Sequence, residues 1–236
     1  DKRIKILNQK NSGPSAALNN GLKNANGQYV HFHDHDDYVN LDYFEKMANA
    51  ACQTDADILC GEVNQPDYNF PRFDAVEILT STRDKILKTR ANKFRPAWRY
   101  LYKKSFLDKT GLKYDERIFG AQDLFFTQPA IVLAQTVATV PGAIYNVVDM
   151  ETALGKSRKL ISNRNNFTDT QNARAKLNEF LIAHNAYELM TTPELPFVIE
   201  KFKMFNMTLT RREIFPNKIR YYFLGLNIGT RRIYRK

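Results

Sequence analysis

Tyr29-Val30-His31-Phe32-His33-Asp34-His35-Asp36-Asp37 is the stretch that decides how this chain folds. It opens apolar and β-prone and closes with three carboxylates within four positions. Three acids at a strand end repel one another. A fold keeps them together readily where a cation or cationic ligand shares the site. Hard divalent ions such as Mg2+ and Mn2+ take carboxylate oxygens, often with substrate phosphates completing the shell. One reading is therefore a metal–diphosphate site. The other is a solvated acidic turn, because Asp is common where strands end.

Working outward, Arg3 to Leu7 reads as a short strand, and Gly13-Pro14 punctuates a turn. Ser12 or Ser15 is positioned to cap a helix over roughly residues 15–25. Gly27 is a helix stop, and Gln28 to His33 forms the next strand. The unit is strand, turn, helix, strand, acids, and in an α/β sheet ligands bind beyond the carboxyl ends of strands. Downstream, helices are expected at Asp42–Cys52, Thr82–Arg90 and Leu124–Ala134, and strands at Asp57–Val63, 99–103 and Thr136–Tyr145. Residues 64–75 read as an irregular loop and 149–160 as a mobile one. Helices over about Asn163–Met190 and Phe197–Arg212 complete the chain.

Three segments, taken together, resemble glycosyltransferase family 2, the inverting enzymes with a GT-A fold. The first is Asn11-x-Gly13-x-Ser15-x-Ala17-x-Asn19-x-Gly21 followed by Asp34-x-Asp36-Asp37. The second is Trp98-Arg99-Tyr100-Leu101-Tyr102-Lys103-Lys104-Ser105-Phe106-Leu107. The third, Phe119-Gly120-Ala121-Gln122-Asp123-Leu124, is similar to the family's Gly-Glu-Asp stretch, with Gln122 where a Glu is usual. The resemblance covers roughly residues 3–147. It implies an α/β fold: a Rossmann-like, nucleotide-sugar-binding GT-A domain over 1–150. A mobile loop and a basic, aromatic helical extension would follow over 151–236. Members normally begin with a strand and helix ahead of the segment that starts here. The chain is therefore expected to be a piece of a longer polypeptide, lacking part of the nucleotide pocket.

The resemblance also implies roles. Asp36, with Asp34, would hold Mn2+ or Mg2+. Asp34, Asn11, Gly13, Asn19 and Asp37 would bind the donor, and Lys156 and Arg158 would contact its diphosphate from the mobile loop. Asp123 would be the general base that takes the acceptor proton; its structural alternative is an acid interacting with a helix N-terminus. Trp98 and Gln122 would meet the acceptor, although Trp98 equally suits a core. The implied reaction is metal-dependent, inverting hexosyl transfer from a nucleotide-diphosphate donor, a UDP-sugar by family frequency. The acceptor would be a glycan, a lipid-linked sugar or a wall polymer, in bacterial surface-polysaccharide or cell-envelope synthesis.

The histidines offer a competing chemistry. His31, His33 and His35 among acids suggest a metallohydrolase, but the order His-x-His-Asp-His-Asp lacks that class's His-x-His-x-Asp-His. Strand alternation puts Tyr29, His31 and His33 on one face and Val30, Phe32 and Asp34 on the other. His31 and His33 are thus expected to be partly buried, with satisfied hydrogen bonds. His35 lies between the acids, and His184 reads as a packing residue.

Composition excludes disorder, since 43% of residues are hydrophobic and 12% aromatic. With only Cys52 and Cys60 present, no disulfide is expected and a reducing cytoplasm is the default. No apolar run reaches the roughly 20 residues that cross a bilayer. Charge is uneven: Lys201 to Lys236 holds ten basic residues and one acid, Glu213, which is nearly all of the net +10. Interleaved aromatics there suit an anionic membrane surface, on the inner face of the cell membrane. Plain packing is the alternative, and nucleic acid the least favoured partner. The rival to an enzyme is a degenerate, non-catalytic domain that binds membrane, glycan or nucleic acid through this basic segment.

Overall fold

The computed structural model describes residues 1–65, 69–118, 121–148 and 167–191, and the backbone of strands at 198–204, 207–214, 218–223 and 226–232. Two compact units are present, Asp1–Met190 and Thr191–Lys236.

In the first unit, helix α1 (Pro14–Asn24) starts on Pro14, whose fixed φ suits the first helical position. Strands β1 (Tyr29–His31) and β2 (Tyr38–Val39) bracket the acidic run. Helix α2 (Tyr43–Thr54) ends on Asp55, which adopts the left-handed conformation. Then come β3 (Ile58–Asn64), β4 (Ile78–Leu79) and α3 (Thr82–Thr89), the last capped by Ser81 through the Asp84 amide at 3.0 Å. A 3-10 turn (Ala97–Arg99) leads into β5 (Tyr100–Lys103) and α4 (Lys104–Thr110). Helix α5 (Gln122–Leu133), β6 (Val137–Asn146), α6 (Phe167–Ala183) and α7 (Tyr187–Thr191) follow.

Among the described residues, six strands form one sheet. The path is β1-β5-β3-β6-β2, and β4 also pairs with β6. Only β3 and β6 run parallel in it; the other pairs are antiparallel. Strand alternation divides the core between the two faces. Ile58, Cys60, Tyr100 and Tyr102 face a cluster that includes Ile86, Phe106, Phe126 and Leu177. Leu59, Leu101 and Ala138 face Tyr43, Met47 and Ala50 of α2. Helices thus cover both faces, and the carboxyl ends of β3 and β6 emerge beside the acidic run.

Two buried cations brace this layering. Lys85 of α3 donates to the Val132 carbonyl (3.4 Å) and to that of Ala134, so it seals the C-terminus of α5 where the helix dipole is negative. Arg99 is fully buried; it donates to the Thr89 carbonyl at 2.8 Å and to Cys60 Sγ at 3.2 Å, with the Tyr100 ring 5.0 Å away. Cys60 is buried and unbridged and Cys52 is exposed, in keeping with the expected absence of a disulfide.

The structure corrects several expectations. Residues 3–7 form no strand: Ile4, Ile6 and Leu7 are exposed and pair with nothing in the sheet. Neither serine caps α1; its N-cap is Gly13 at φ 91, and Ser15 is buried on the Ile118 carbonyl instead. The helix expected over 197–212 is replaced by strands. Here β7 (Val198–Met204), β8 (Met207–Ile214), β9 (Lys218–Phe223) and β10 (Leu226–Arg232) form an antiparallel sheet in the order β10-β9-β8-β7. Thr, Ile, Phe and Tyr are frequent in this segment and favour pleated over helical backbone. Helices α6 and α7 do form within the expected 163–190 stretch. They belong with the first unit rather than beyond a boundary at 150, because Leu177, Leu181, Ala186 and Met190 enter its core. No helix among the described residues is long and apolar enough to cross a membrane.

Gly61 sets how closely α2 approaches the sheet. A Cβ there would lie 2.7 Å from the Met47 terminal methyl and 2.9 Å from the Ala143 carbonyl oxygen. Substituting Gly61→Ala is expected to cost about 1–3 kcal/mol of stability, read as a lower urea midpoint at unchanged slope.

Candidate active site

The acidic run leaves the sheet at the end of β1 and turns back at β2. Asp34, Asp36 and Asp37 each place a carboxylate oxygen within 4.8 Å of the others. They are not held equally. Asp37 is fixed to the end of β6: Tyr145 donates its hydroxyl to Oδ2 at 3.0 Å, and the Val148 amide donates to Oδ1 at 2.9 Å. The Tyr145 oxygen also accepts from the Asp34 amide at 3.3 Å. One phenol therefore joins both ends of the acidic turn to β6. Burial raises the pKa of the Asp34 carboxyl above the usual carboxylate range, and the charges of Asp37 and Asp36 raise it further. Such a set is stabilised by a positive ion, and all-oxygen ligands at this spacing suit a hard divalent cation. Within the trio, Asp37 is already engaged by protein donors.

Behind this turn stands an aromatic wall. The Trp98 ring stacks on Tyr145 at 4.3 Å and 14°. Its carbonyl accepts from His31 Nε2 at 2.7 Å, and burial lowers the His31 pKa to about 4, so the ring is neutral. His31 is the satisfied strand residue expected. His33 departs from expectation: it lies past the end of β1 and is exposed, with Nε2 3.2 Å from the Asp37 carbonyl. His35 is exposed within the acidic turn. His184, expected as a packing residue, is exposed; its ring lies 4.1 Å from that of Phe180 at 31°, with Nδ1 2.8 Å from the Phe180 carbonyl.

Asp123 enters from the opposite element. It lies in the first turn of α5, two residues after Ala121, whose left-handed backbone (φ 53) turns the chain sharply into the helix. Left-handed non-glycine residues are strained and cluster at functional sites. The Asp123 pKa is raised to about 6, first by burial; the Ala97 amide opposes this and Asp34 adds to it. Asp123 is thus within electrostatic reach of the acidic turn and beside the 3-10 turn that carries Trp98. Gln122 is half-buried as the first residue of α5.

Other expected residues fall elsewhere. Asn19 uses its amide on the fold: Nδ2 donates to the Tyr114 carbonyl and to Glu116 Oε1, both at 2.9 Å, and Oδ1 accepts from the Tyr114 amide at 2.9 Å. Asn11 accepts from the Gly13 amide at 3.2 Å in the turn before α1. Lys156 and Arg158 lie outside the described residues. Sequence reasoning missed Tyr145 and the Val148 amide, because nothing in a strand-end tyrosine says which turn it will face.

Comparison with known proteins agrees with this geometry. The family model described as Glycosyl transferase family 2 matches residues 1–111. The chain is 33% identical over 153 residues to the uncharacterized glycosyltransferase EpsJ of Bacillus subtilis (strain 168), covering 61% of this chain and 44% of that protein. It is 29% identical over 158 residues to the glycosyltransferase GlyA of Streptococcus pneumoniae serotype 4, covering 61% and 22%. The match thus spans less than half the length of these relatives. Among solved structures, S. aureus TarS 1-349 in complex with UDP-GlcNAc aligns with a TM-score of 0.54 at 22% identity, covering 64% of this chain and 43% of that one. That likeness establishes the fold as α/β of the GT-A type. Residues 1–111 of this chain are thus similar to glycosyltransferase family 2, on the sheet that carries the acidic run.

Proposed function

We propose that the first unit transfers a hexosyl group from a UDP-sugar to a hydroxyl of a glycan, lipid-linked or wall-polymer acceptor, with inversion at the anomeric carbon. The observation that carries this is the pairing of a three-carboxylate turn with a separate, half-buried carboxylate, Asp123, that feels its charge. A non-catalytic binding domain has no use for both. The UDP-GlcNAc complex of TarS 1-349 supports the choice of donor.

The two sets of acids divide the chemistry. Asp36 and Asp34 would hold Mn2+ or Mg2+, which when bound would supply Lewis-acid stabilisation for the charge that grows on the leaving diphosphate. Asp37, fixed by Tyr145 and Val148, keeps the turn in place. Asp123 accepts the proton of the attacking hydroxyl as the new oxygen–carbon bond forms. The bond from the anomeric carbon to the phosphate oxygen breaks on the opposite side, so an α-linked donor gives a β-linked product. Trp98 and Gln122 flank Asp123 and would orient the acceptor. The turn at Asn11 and Gly13, together with Lys156 and Arg158, would contact the donor. We further propose that the basic stretch 201–236 holds the protein at an anionic membrane surface on the cytoplasmic side.

The direct test is Mn2+-dependent binding and turnover across UDP-sugars with the full-length polypeptide. Asp36→Ala is expected to weaken donor binding more than about 100-fold. Asp123→Asn should bind donor normally while turnover falls roughly 100- to 10,000-fold. Retained turnover in Asp123→Asn would overturn the base assignment. Tyr145→Phe, which removes only the hydroxyl tie, should weaken Mn2+ binding by about 10-fold, measured by calorimetry.

The elevated pKa of Asp123 gives two opposite pH effects. A protonated carboxyl cannot take a proton, so turnover should fall as pH drops through about 6. For stability, the folded state holds this proton more tightly than the unfolded chain. The group's unfavourable contribution therefore appears as pH rises from about 4 through about 6. Asp123→Asn should accordingly melt higher than the parent at pH 7.5, with the gap closing near pH 4.

A further inference from the structure

The run Arg90-Ala91-Asn92-Lys93-Phe94-Arg95-Pro96-Ala97-Trp98 carries three cations and no acid. It joins α3 to the 3-10 turn, and its shape is fixed. Arg90 takes the left-handed conformation (φ 54) at the end of α3, a strained state that clusters at functional sites. The Lys93 and Phe94 amides both return to the Arg90 carbonyl, at 2.9 and 2.8 Å. Phe94 is buried and stacks on Phe70 at 4.1 Å. Two charges stand against that one ring: the Arg90 guanidinium carbon lies 5.0 Å from its centroid and Lys93 Nζ 5.5 Å. Phe70 in turn lies 6.3 Å from Trp98, and Trp98 stacks on Tyr145, which holds Asp37. Ring contacts therefore run without a break from the cations to the acidic turn.

Like charges gathered on one short turn repel. Among the described residues, no carboxylate lies within ion-pair distance of Arg90, Lys93 or Arg95. Arg90 donates instead to the Asn69 carbonyl, and Arg95 makes one long contact, 3.4 Å, with the Asn92 carbonyl. Lys93 and Arg95 are exposed.

We propose that this run is a subsite for a phosphoryl group carried by the acceptor: Lys93 and Arg95 bind the phosphate while the accepting hydroxyl sits at Asp123. The proposal rests on the transferase reading of the site and names the chemistry of its acceptor. The chain sets the placement. Arg95 precedes by two residues the 3-10 turn that packs against α5, the helix of Asp123. Its backbone is thus within about 8 Å of that turn. A guanidinium fork matches phosphate oxygens, and a lysine supplies them a point charge. Three cations on one turn exceed what a single carboxylate neutralises; they suit a diphosphate or a phosphodiester. An acceptor joined to lipid through diphosphate and one built from polyol phosphate share this group.

The test uses the full-length polypeptide without divalent metal, so that the acidic turn offers phosphate no cation. Farnesyl diphosphate represents the lipid-linked source and poly(glycerol phosphate) the polymeric one; farnesol and polygalacturonate are their phosphate-free counterparts. Binding is read by calorimetry. At least one phosphorylated probe should bind, and Lys93→Gln/Arg95→Gln should weaken it about 10- to 100-fold. Which of the two binds identifies the source. Lys23→Gln/Lys109→Gln, which removes two exposed charges elsewhere, should bind that probe as the parent does. The proposal is overturned by equal affinity in the parent and the Lys93/Arg95 variant, or by an equal loss in the Lys23/Lys109 variant. It is also overturned if neither phosphorylated probe binds, or if a phosphate-free counterpart binds as tightly. Mn2+-dependent binding of UDP-GlcNAc to the parent is measured alongside. Where that binding is present, a negative result removes the subsite alone; where it is absent, the transferase reading falls as well.

Discussion

Like charges held close together repel, and the first unit is organised to hold three of them. The carboxylates of Asp34, Asp36 and Asp37 converge because the chain between β1 and β2 cannot spread: Tyr145 and the Val148 amide fasten it to the end of β6. Tyr145 is kept in place by Trp98, and Trp98 by the His31 bond to its carbonyl. Each support comes from a different strand or turn. The acidic site is therefore a property of the assembled sheet, although all its carboxylates come from one short run.

Asp123 is in a different situation. Its surroundings favour the neutral acid more than a solvated carboxylate's would, while the trio favours a bound cation. Pairs of acids pushed toward different states by their environments are how one site combines proton transfer with charge stabilisation at a single pH. The helix that carries Asp123 is anchored at its far end by buried Lys85 and turned into place at its near end by Ala121. Neither residue touches the reacting groups, yet both determine where Asp123 stands.

Most of this was legible in the sequence where one segment carried the information. The helix–strand unit ahead of the acids, the acidic run and the helix after Asp123 follow local rules of punctuation and periodicity. What was not legible depends on partners far away in the chain. Ile4, Ile6 and Leu7 have strand-like composition but no neighbour to pair with. Val198 to Arg212 carries long side chains that suit a helix, yet Phe202, Thr208 and Thr210 pair in the ladders that join β7, β8 and β9. The Asn19 amide is taken up by Tyr114 and Glu116, about a hundred positions on, which no local pattern shows. Tyr145 gave no local signal at all.

The stack of Trp98 on Tyr145 has an optical consequence. Trp98 is the chain's sole indole, and its partner ring is hydrogen-bonded through its hydroxyl to Asp37. Intrinsic fluorescence excited at the indole band therefore comes from one position, a single ring away from the acidic turn. An ion or a phosphate arriving there alters the field at that ring, so the emission of the unlabelled protein reports on occupancy of the turn.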